Sequence, residues 1–270
     1  MRAIWTITRK ELVSYLTTPW AWVVFSVTAA IASAFFVISL VDFDDFHRQV
    51  QESTNGWRDV APGELYMRNL TDGVVGVLWQ KLLALTLFVA PFLSMRLFAE
   101  ERKNKTFELL MTAPVRPIEI VLGKFFGALC IIGCTIGLSI IYPLILSLVG
   151  SSQSGHTLEW STVLMGYGAL LLWGATNMAI GMFVSAMTES QMVAALVSFG
   201  IALGWMLLSG LGATVPEPAR SLLNYLSFDV QLEPLVKGVL DLKPLVFFGS
   251  VIAFFVLLTH RAIEAQRWTP

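Results

Sequence analysis

Charged and helix-capping residues gather between residues 96 and 124, where the chain reads RLFAEERKNKTFELLMTAPVRPIEIVLGK. Arg96 and Glu100 stand four residues apart, as do Glu101 and Lys105. At that spacing opposite charges meet along one flank of a helix and add roughly a few tenths of a kcal/mol per pair. Thr106 is placed to cap the first N–H groups of a new short helix, Phe107, Glu108, Leu109, Leu110 and Met111, which Pro114 stops. Phe107, Leu110 and Met111 fall on one side of that helix, with Glu108 and Thr112 on another. The chemistry available is docking: a short amphipathic helix lying parallel to a membrane offers an apolar stripe to a partner protein. Periodicity alone fits a charged loop with one helical turn equally well.

Groups for catalysis are missing. The sequence has no Gly-x-x-x-x-Gly-Lys-Ser/Thr loop, so it lacks a phosphate cradle of the P-loop kind, and any ATP hydrolysis must come from another chain. It has no nucleophile elbow, no His-Glu-x-x-His helix and no carboxylate pair inside an apolar run, which disfavours a membrane enzyme. Carriers driven by protons or sodium bury carboxylates or histidines along their path. Here the spans lack such groups at mid-depth: Lys81 lies toward the outer end of the second span, Arg96 near its inner end, and Asn177 is merely polar. Cys130 and Cys134, one helical turn apart in an apolar run, read as small core residues. The three histidines are scattered, so no metal site is expected.

The elements that must carry the 96–124 stretch are membrane spans. Of the 270 residues 56% are hydrophobic and 14% charged, with a mean hydropathy of +0.70. Soluble proteins carry about 25% charged residues, so the expected fold class is an all-α polytopic membrane protein, a single domain over residues 1–270. A net charge of -1 gives no reason to expect nucleic acid. Residues 1–18 fit an amphipathic elbow helix on the bilayer, with Trp5, Leu12, Tyr15 and Leu16 along one side and Arg2, Arg9 and Lys10 reaching toward headgroups. Six transmembrane spans follow, at residues 20–41, 73–98, 118–149, 160–187, 192–211 and 245–260. The first resembles a signal peptide in its basic flank, but its apolar run continues past the small-residue site, as an uncleaved span does.

Gly174, Gly181, Gly200 and Gly204 are expected to let neighbouring helices approach. Residues 215–243 read as two short helices, each below the roughly 20 residues that cross a bilayer, dipping into the outer leaflet or lying on its surface. Basic residues set the orientation. With both termini and residues 99–117 in the cytoplasm, that side collects Arg2, Arg9, Lys10, Arg96, Arg102, Lys103, Lys105, Arg116, Lys124, Arg261 and Arg267, while the acidic 42–72 loop lies outside.

The run Glu100-Glu101-Arg102-Lys103, then Thr106 through Pro114, then Leu122-Gly123-Lys124, resembles the cytoplasmic segment of ABC-2 type transporter permeases. In that family the segment carries the coupling helix, which sits in a cleft of the ATP-hydrolysing subunit. The family usually has Gly just before the Thr, where this chain has Lys105. Asn104 is the residue expected to supply a left-handed turn in its place. Residues 181–195 and the tail from Lys237 to Trp268 are similar to permeases of gliding-motility ABC systems.

The resemblance implies an export-type permease with no cofactor of its own. This chain would sit in the bacterial inner membrane, with ATP and Mg bound by a partner ABC ATPase subunit. A second permease copy, or a related membrane subunit with a periplasmic domain, would complete the assembly. It also implies that Glu100, Glu101, Thr106, Phe107, Glu108, Leu109, Leu110, Met111 and Pro114 form the ATPase-coupling segment. Two alternatives stand beside it: a subunit that passes ATP-driven force to a periplasmic partner without moving cargo, and a copper-associated ABC permease.

Overall fold

The computed structural model describes residues 2–53, 56–58, 60–107, 115–149, 158–212 and 215–266, and these are helical with short connections. Among the described residues six helices are long and apolar enough to cross a membrane: Pro19–Glu52, Thr71–Lys103, Pro117–Val149, Trp160–Met187, Gln191–Gly212 and Leu242–Gln266. In chain order we label the elements used below α1 (Arg2–Thr17), α2 (Pro19–Glu52), α3 (Val77–Ser94), α4 (Arg96–Lys103), α5 (Pro117–Gly137), α6 (Ile141–Val149), α7 (Trp160–Met187), α8 (Gln191–Met206), α9 (Leu208–Gly212), α10 (Ala219–Leu226), α11 (Phe228–Val236) and α12 (Leu242–Gln266).

The bundle is built around α7. Its apolar window is 78% buried, against 28% for α2 and 24% for the α8–α9 span, so α7 is the axis and those two are peripheral. Helix α3 crosses α7 with Trp79 fully buried beside Tyr167, and the Trp173 indole N–H donates to Leu83 O at 3.0 Å. Gly174 and Gly181 of α7 lie at close crossings, as expected. Gly200 and Gly204 do not: no atom outside their own helix comes within 4 Å of where a Cβ would stand, because that face of α8 points away from the bundle. Cys130 and Cys134 also point outward and are exposed rather than core residues.

Several of these helices run on beyond their apolar stretches. Pro19 opens α2 at a position that tolerates it, and the helix continues to Glu52 because an aromatic face persists through the acidic stretch. Phe43 packs on His47 at 4.2 Å, His47 meets Trp57 at 5.3 Å, and Asp44 pairs with Arg48 at 2.6 Å. The second span begins with a wider π-type turn over Thr71–Gly76 and breaks at Met95, between α3 and α4. The third tightens over Leu138–Ile140, where Pro143 has no N–H to offer Ser139 O.

Two short helices, α10 of 8 residues and α11 of 9, occupy the 215–243 region. Helix α11 is fastened to the bundle by Phe228, which is fully buried between Trp205 (4.7 Å), Trp173 (4.9 Å) and Phe248 (5.6 Å). Helix α10 buries none of its side chains, so the pair is anchored from one end.

Candidate coupling site

The site grows from the end of α4. Asn104 keeps an ordinary backbone conformation (φ -86, ψ 2), and Lys105 itself takes the left-handed one at φ 56. This corrects the expectation for Asn104. The amide of Thr106 donates to Glu101 O at 2.9 Å and that of Lys105 to Arg102 O at 3.0 Å. These are the two crossed bonds of a Schellman C-cap, in which the residue in the Lys105 position must be left-handed. An L-residue there carries a steric cost that Gly escapes, of roughly 1–2 kcal/mol. Lys105→Gly is therefore expected to stabilise the protein by about 1 kcal/mol, and Lys105→Val to destabilise it. Thermal melts of the two detergent-solubilised variants will show the ranking, and an unchanged midpoint in both would refute the strain.

The turn also explains the partners of Glu101. Lys105 is turned out of the helix, so the expected Glu101–Lys105 pair does not form among the described residues. Glu101 instead reaches Lys124 on α5. The Arg96–Glu100 pair is present and bidentate, at 2.8 and 3.0 Å. The Thr106 hydroxyl donates back to Glu101 O at 3.2 Å. Phe107 is half-buried, with its ring edge-on to Phe98 at 6.4 Å and the Arg102 guanidinium 5.1 Å above it. Arg102 also donates to Gln266 at the end of α12 and is drawn electrostatically to Glu189 in the α7–α8 turn. Glu108, Leu109, Leu110, Met111 and Pro114 lie outside the described residues.

Lys124 is the centre of the site and is 2% exposed. Its ammonium donates to Glu11 Oε1 at 2.8 Å, Leu97 O at 2.6 Å and Glu101 Oε1 at 3.0 Å. All three of its protons are thereby committed. The three acceptors come from α1 and α4, so one buried side chain on α5 ties three helices together. Lys10 adds a longer contact to Glu101 at 3.9 Å from an exposed position, which contributes little.

Helix α1 approaches this closely because α5 offers a groove. A Cβ on Gly123 would stand 2.7 Å from Ile7 Cβ, and one on Gly127 would stand 2.8 Å from Glu11 Cβ. Only a residue without a side chain fits at either place. Thr8 closes the seam by donating to Gly123 O at 3.0 Å. The bundle-facing stripe of α1 is consequently Thr8, Glu11 and Tyr15, while Trp5 and Leu16 point outward. Tyr15 thus leaves the apolar side on which sequence spacing placed it. Its hydroxyl donates to Leu93 O at 2.5 Å, and burial with the nearby Glu11 charge holds it protonated well above the usual phenol range.

A second junction lies across α7. Ser185 Oγ accepts from the amides of Phe98 and Ala99, both at 3.0 Å, and donates to Met95 O at 2.8 Å. In an unbroken helix the Phe98 amide would bond to Ser94 O and the Ala99 amide to Met95 O, so Ser185 is a wedge in the ladder between α3 and α4. Lys124, Glu11, Tyr15 and Ser185 were not singled out as site residues from sequence. Gly123 and Gly127, four residues apart, are the sequence sign that a helix can approach α5 beside Lys124, but nothing local marks Glu11 or Tyr15 as what meets it. Ser185, in a featureless apolar run, offered none.

The arrangement holds the charged segment at the end of α4 against a bundle of long apolar helices. The family profile described as ABC-2 family transporter protein matches residues 5–260. The chain belongs to that family. No curated protein matches it. As an ABC-2 family member it is a multi-pass membrane component of an ABC transporter, the permease subunit, and the family implies an ABC ATPase as its partner.

Proposed function

We propose that this permease works in an ATP-driven, export-type transporter of the bacterial inner membrane, and that residues 99–117 pass the motion of a separate ATPase into the bundle. The observation that carries the reading is the Lys124 network. The segment is not a free loop: its root in α4 is locked to α1 and α5 by a fully satisfied buried charge, so a push on it moves three helices as one body. The ATPase would bind ATP and Mg. Both termini would be cytoplasmic, as the excess of basic residues supports. Two permease copies, or one copy with a related subunit bearing a periplasmic domain, would complete the assembly. Similarity to gliding-motility permeases favours the latter, and force passed to a periplasmic partner without movement of cargo is the alternative output.

Glu100 and Glu101 hold the delivering helix, through Arg96 and Lys124. Phe107 packs on its own chain, so its removal loosens the root of the coupling helix, whereas Leu110 is the anchor proposed for the ATPase cleft. Leu110→Ala, alone and with Phe107→Ala, is expected to cost on the order of 2 kcal/mol of ATPase binding while the protein stays inserted. Co-purification with the ATPase and turnover assays will read this, with reporter fusions at Met1 and Pro270 checking the orientation. A double variant that retains its ATPase with unchanged turnover would sink the assignment. Loss of the partner on mutating only Glu189 would move the contact to that turn.

A further inference from the structure

The apolar parts of the spans hold two lysines in contrasting surroundings. Lys124 is enclosed by two carboxylates and a carbonyl. Lys81, on α3, has no ion-pair partner among the described residues. Its ammonium donates to Ser39 Oγ of α2 at 3.1 Å and stands 6.0 Å from the centre of the Phe35 ring. Ser39 in turn donates its own proton to Phe35 O at 2.8 Å, so only a lone pair faces the lysine. A lone pair and an aromatic face do not neutralise a cation, and an ammonium at membrane depth is costly without a counter-charge.

Its location indicates where that charge comes from. Lys81 is half-buried in the crevice between α2 and α3, at the surface of the bundle and not in its centre. Ser39 lies three residues before Asp42, about 4.5 Å along the helix axis, at the point where α2 turns acidic and leaves its apolar stretch. A lysine stem spans that distance and can carry its head toward the interface. An apolar-to-polar boundary of this kind is where headgroup phosphates are expected, and the acids nearest to Ser39 in sequence, Asp42, Asp44 and Asp45, are exposed, with Asp44 already paired to Arg48.

We propose that Lys81, with the Ser39 hydroxyl beside it and Phe35 below, forms a binding site for the anionic phosphate of a membrane lipid headgroup in the α2–α3 crevice. The lysine supplies the charge from its half-buried position, the buried Ser39 hydroxyl anchors the ammonium from the inner side of the crevice, and Phe35 covers the apolar part of the lipid.

The test uses the purified full chain in neutral detergent. Phosphatidylglycerol, phosphatidylcholine and inorganic phosphate are added separately, with retained lipid read by native mass spectrometry and stabilisation by thermal melting. Wild type is expected to retain phosphatidylglycerol in excess over phosphatidylcholine and to melt higher with it. Lys81→Met should bring the two lipids to parity, and Lys81→Arg should keep the excess. Lys81→Gln is the second charge-removing variant should the methionine protein fail to fold. Lys81-dependent stabilisation by inorganic phosphate alone would assign the anion to a soluble source and overturn the lipid assignment. A phosphatidylglycerol excess that survives in the charge-removing variants would overturn the site altogether.

Discussion

Lys124→Met is expected to cost about 3–5 kcal/mol, the range found when one partner of a buried ion pair is removed. Methionine keeps the length of the stem and removes only the charge and its three protons. The Glu11 and Glu101 carboxylates, both bonded to that ammonium through Oε1, are then left facing each other with Leu97 O between α1 and α4. With native stabilities of roughly 5–15 kcal/mol, such a loss removes much of what holds the bundle. Adding Glu11→Gln and Glu101→Gln to Lys124→Met should restore most of the stability, because neutral amides are far cheaper to bury than stranded carboxylates. Reversible unfolding in detergent will measure the series. A loss below about 1 kcal/mol in Lys124→Met, in the range of an exposed pair, would show that the network is open to water and does not bind the three helices. The restored triple variant has a further use. It keeps the fold without the charge clamp, so if the clamp transmits motion its complex will hydrolyse ATP while producing less output.

The membrane architecture was legible because it follows from length and hydropathy. A run of about 20 apolar residues has one solution in a bilayer. The helix of the fourth apolar run, Trp160–Met187, ends where that run ends. Elsewhere another force extends the helix beyond the apolar run: the aromatic face of Phe43, Phe46 and His47 carries α2 past its acids, and the Arg96–Glu100 pair helps carry the helix that follows α3 to Lys103. Glycine spacing marked close approach correctly at Gly174 and Gly181 but not at Gly200 and Gly204, since spacing gives a helix face and not what lies opposite it.

The same limit applies to the site. Local chemistry was readable at Arg96 and Glu100, one turn apart on one helix. The partner of Glu101 was not, because Lys124 lies 23 residues on and meets it only after α5 folds back. Glu11 is 113 residues away from the same lysine. The left-handed turn was anticipated, but residue preference placed it on Asn104 when the hydrogen-bond pattern of the C-cap requires it at Lys105.

Gly181→Ala is expected to damage the α3–α7 crossing severely for a single added methyl group. A Cβ there would lie 1.9 Å from Ser94 Oγ and 2.6 Å from Ser94 Cβ, and Ser94 is fully buried, so its side chain has no free direction in which to turn. The helices must separate, and overpacking of this kind costs about 1–3 kcal/mol. Separation has a second consequence one turn further along. Ser185 reaches Met95 O and the amides of Phe98 and Ala99 only because α7 lies against the break, and each amide it deserts loses about 1 kcal/mol or more. Together the two effects amount to about 3 kcal/mol.

The remedy lies on the opposite helix. Ser94→Gly takes away both clashing atoms, so Gly181→Ala combined with Ser94→Gly should regain more than half of the loss even after the helix cost of a glycine, about 1 kcal/mol. A double-mutant cycle separates this coupling from independent damage. Strict additivity of the two substitutions would mean that α7 does not press on Ser94. Ser185→Ala completes the comparison, because it removes the wedge without moving α7. If the wedge holds the break open, that variant will show Phe98 and Ala99 amides exchanging with solvent faster than wild type, or a straightened α3–α4 junction in which they bond to Ser94 O and Met95 O. Either result places the hinge between the coupling segment and the bundle at Met95, and unchanged exchange with an unchanged bend would place it elsewhere.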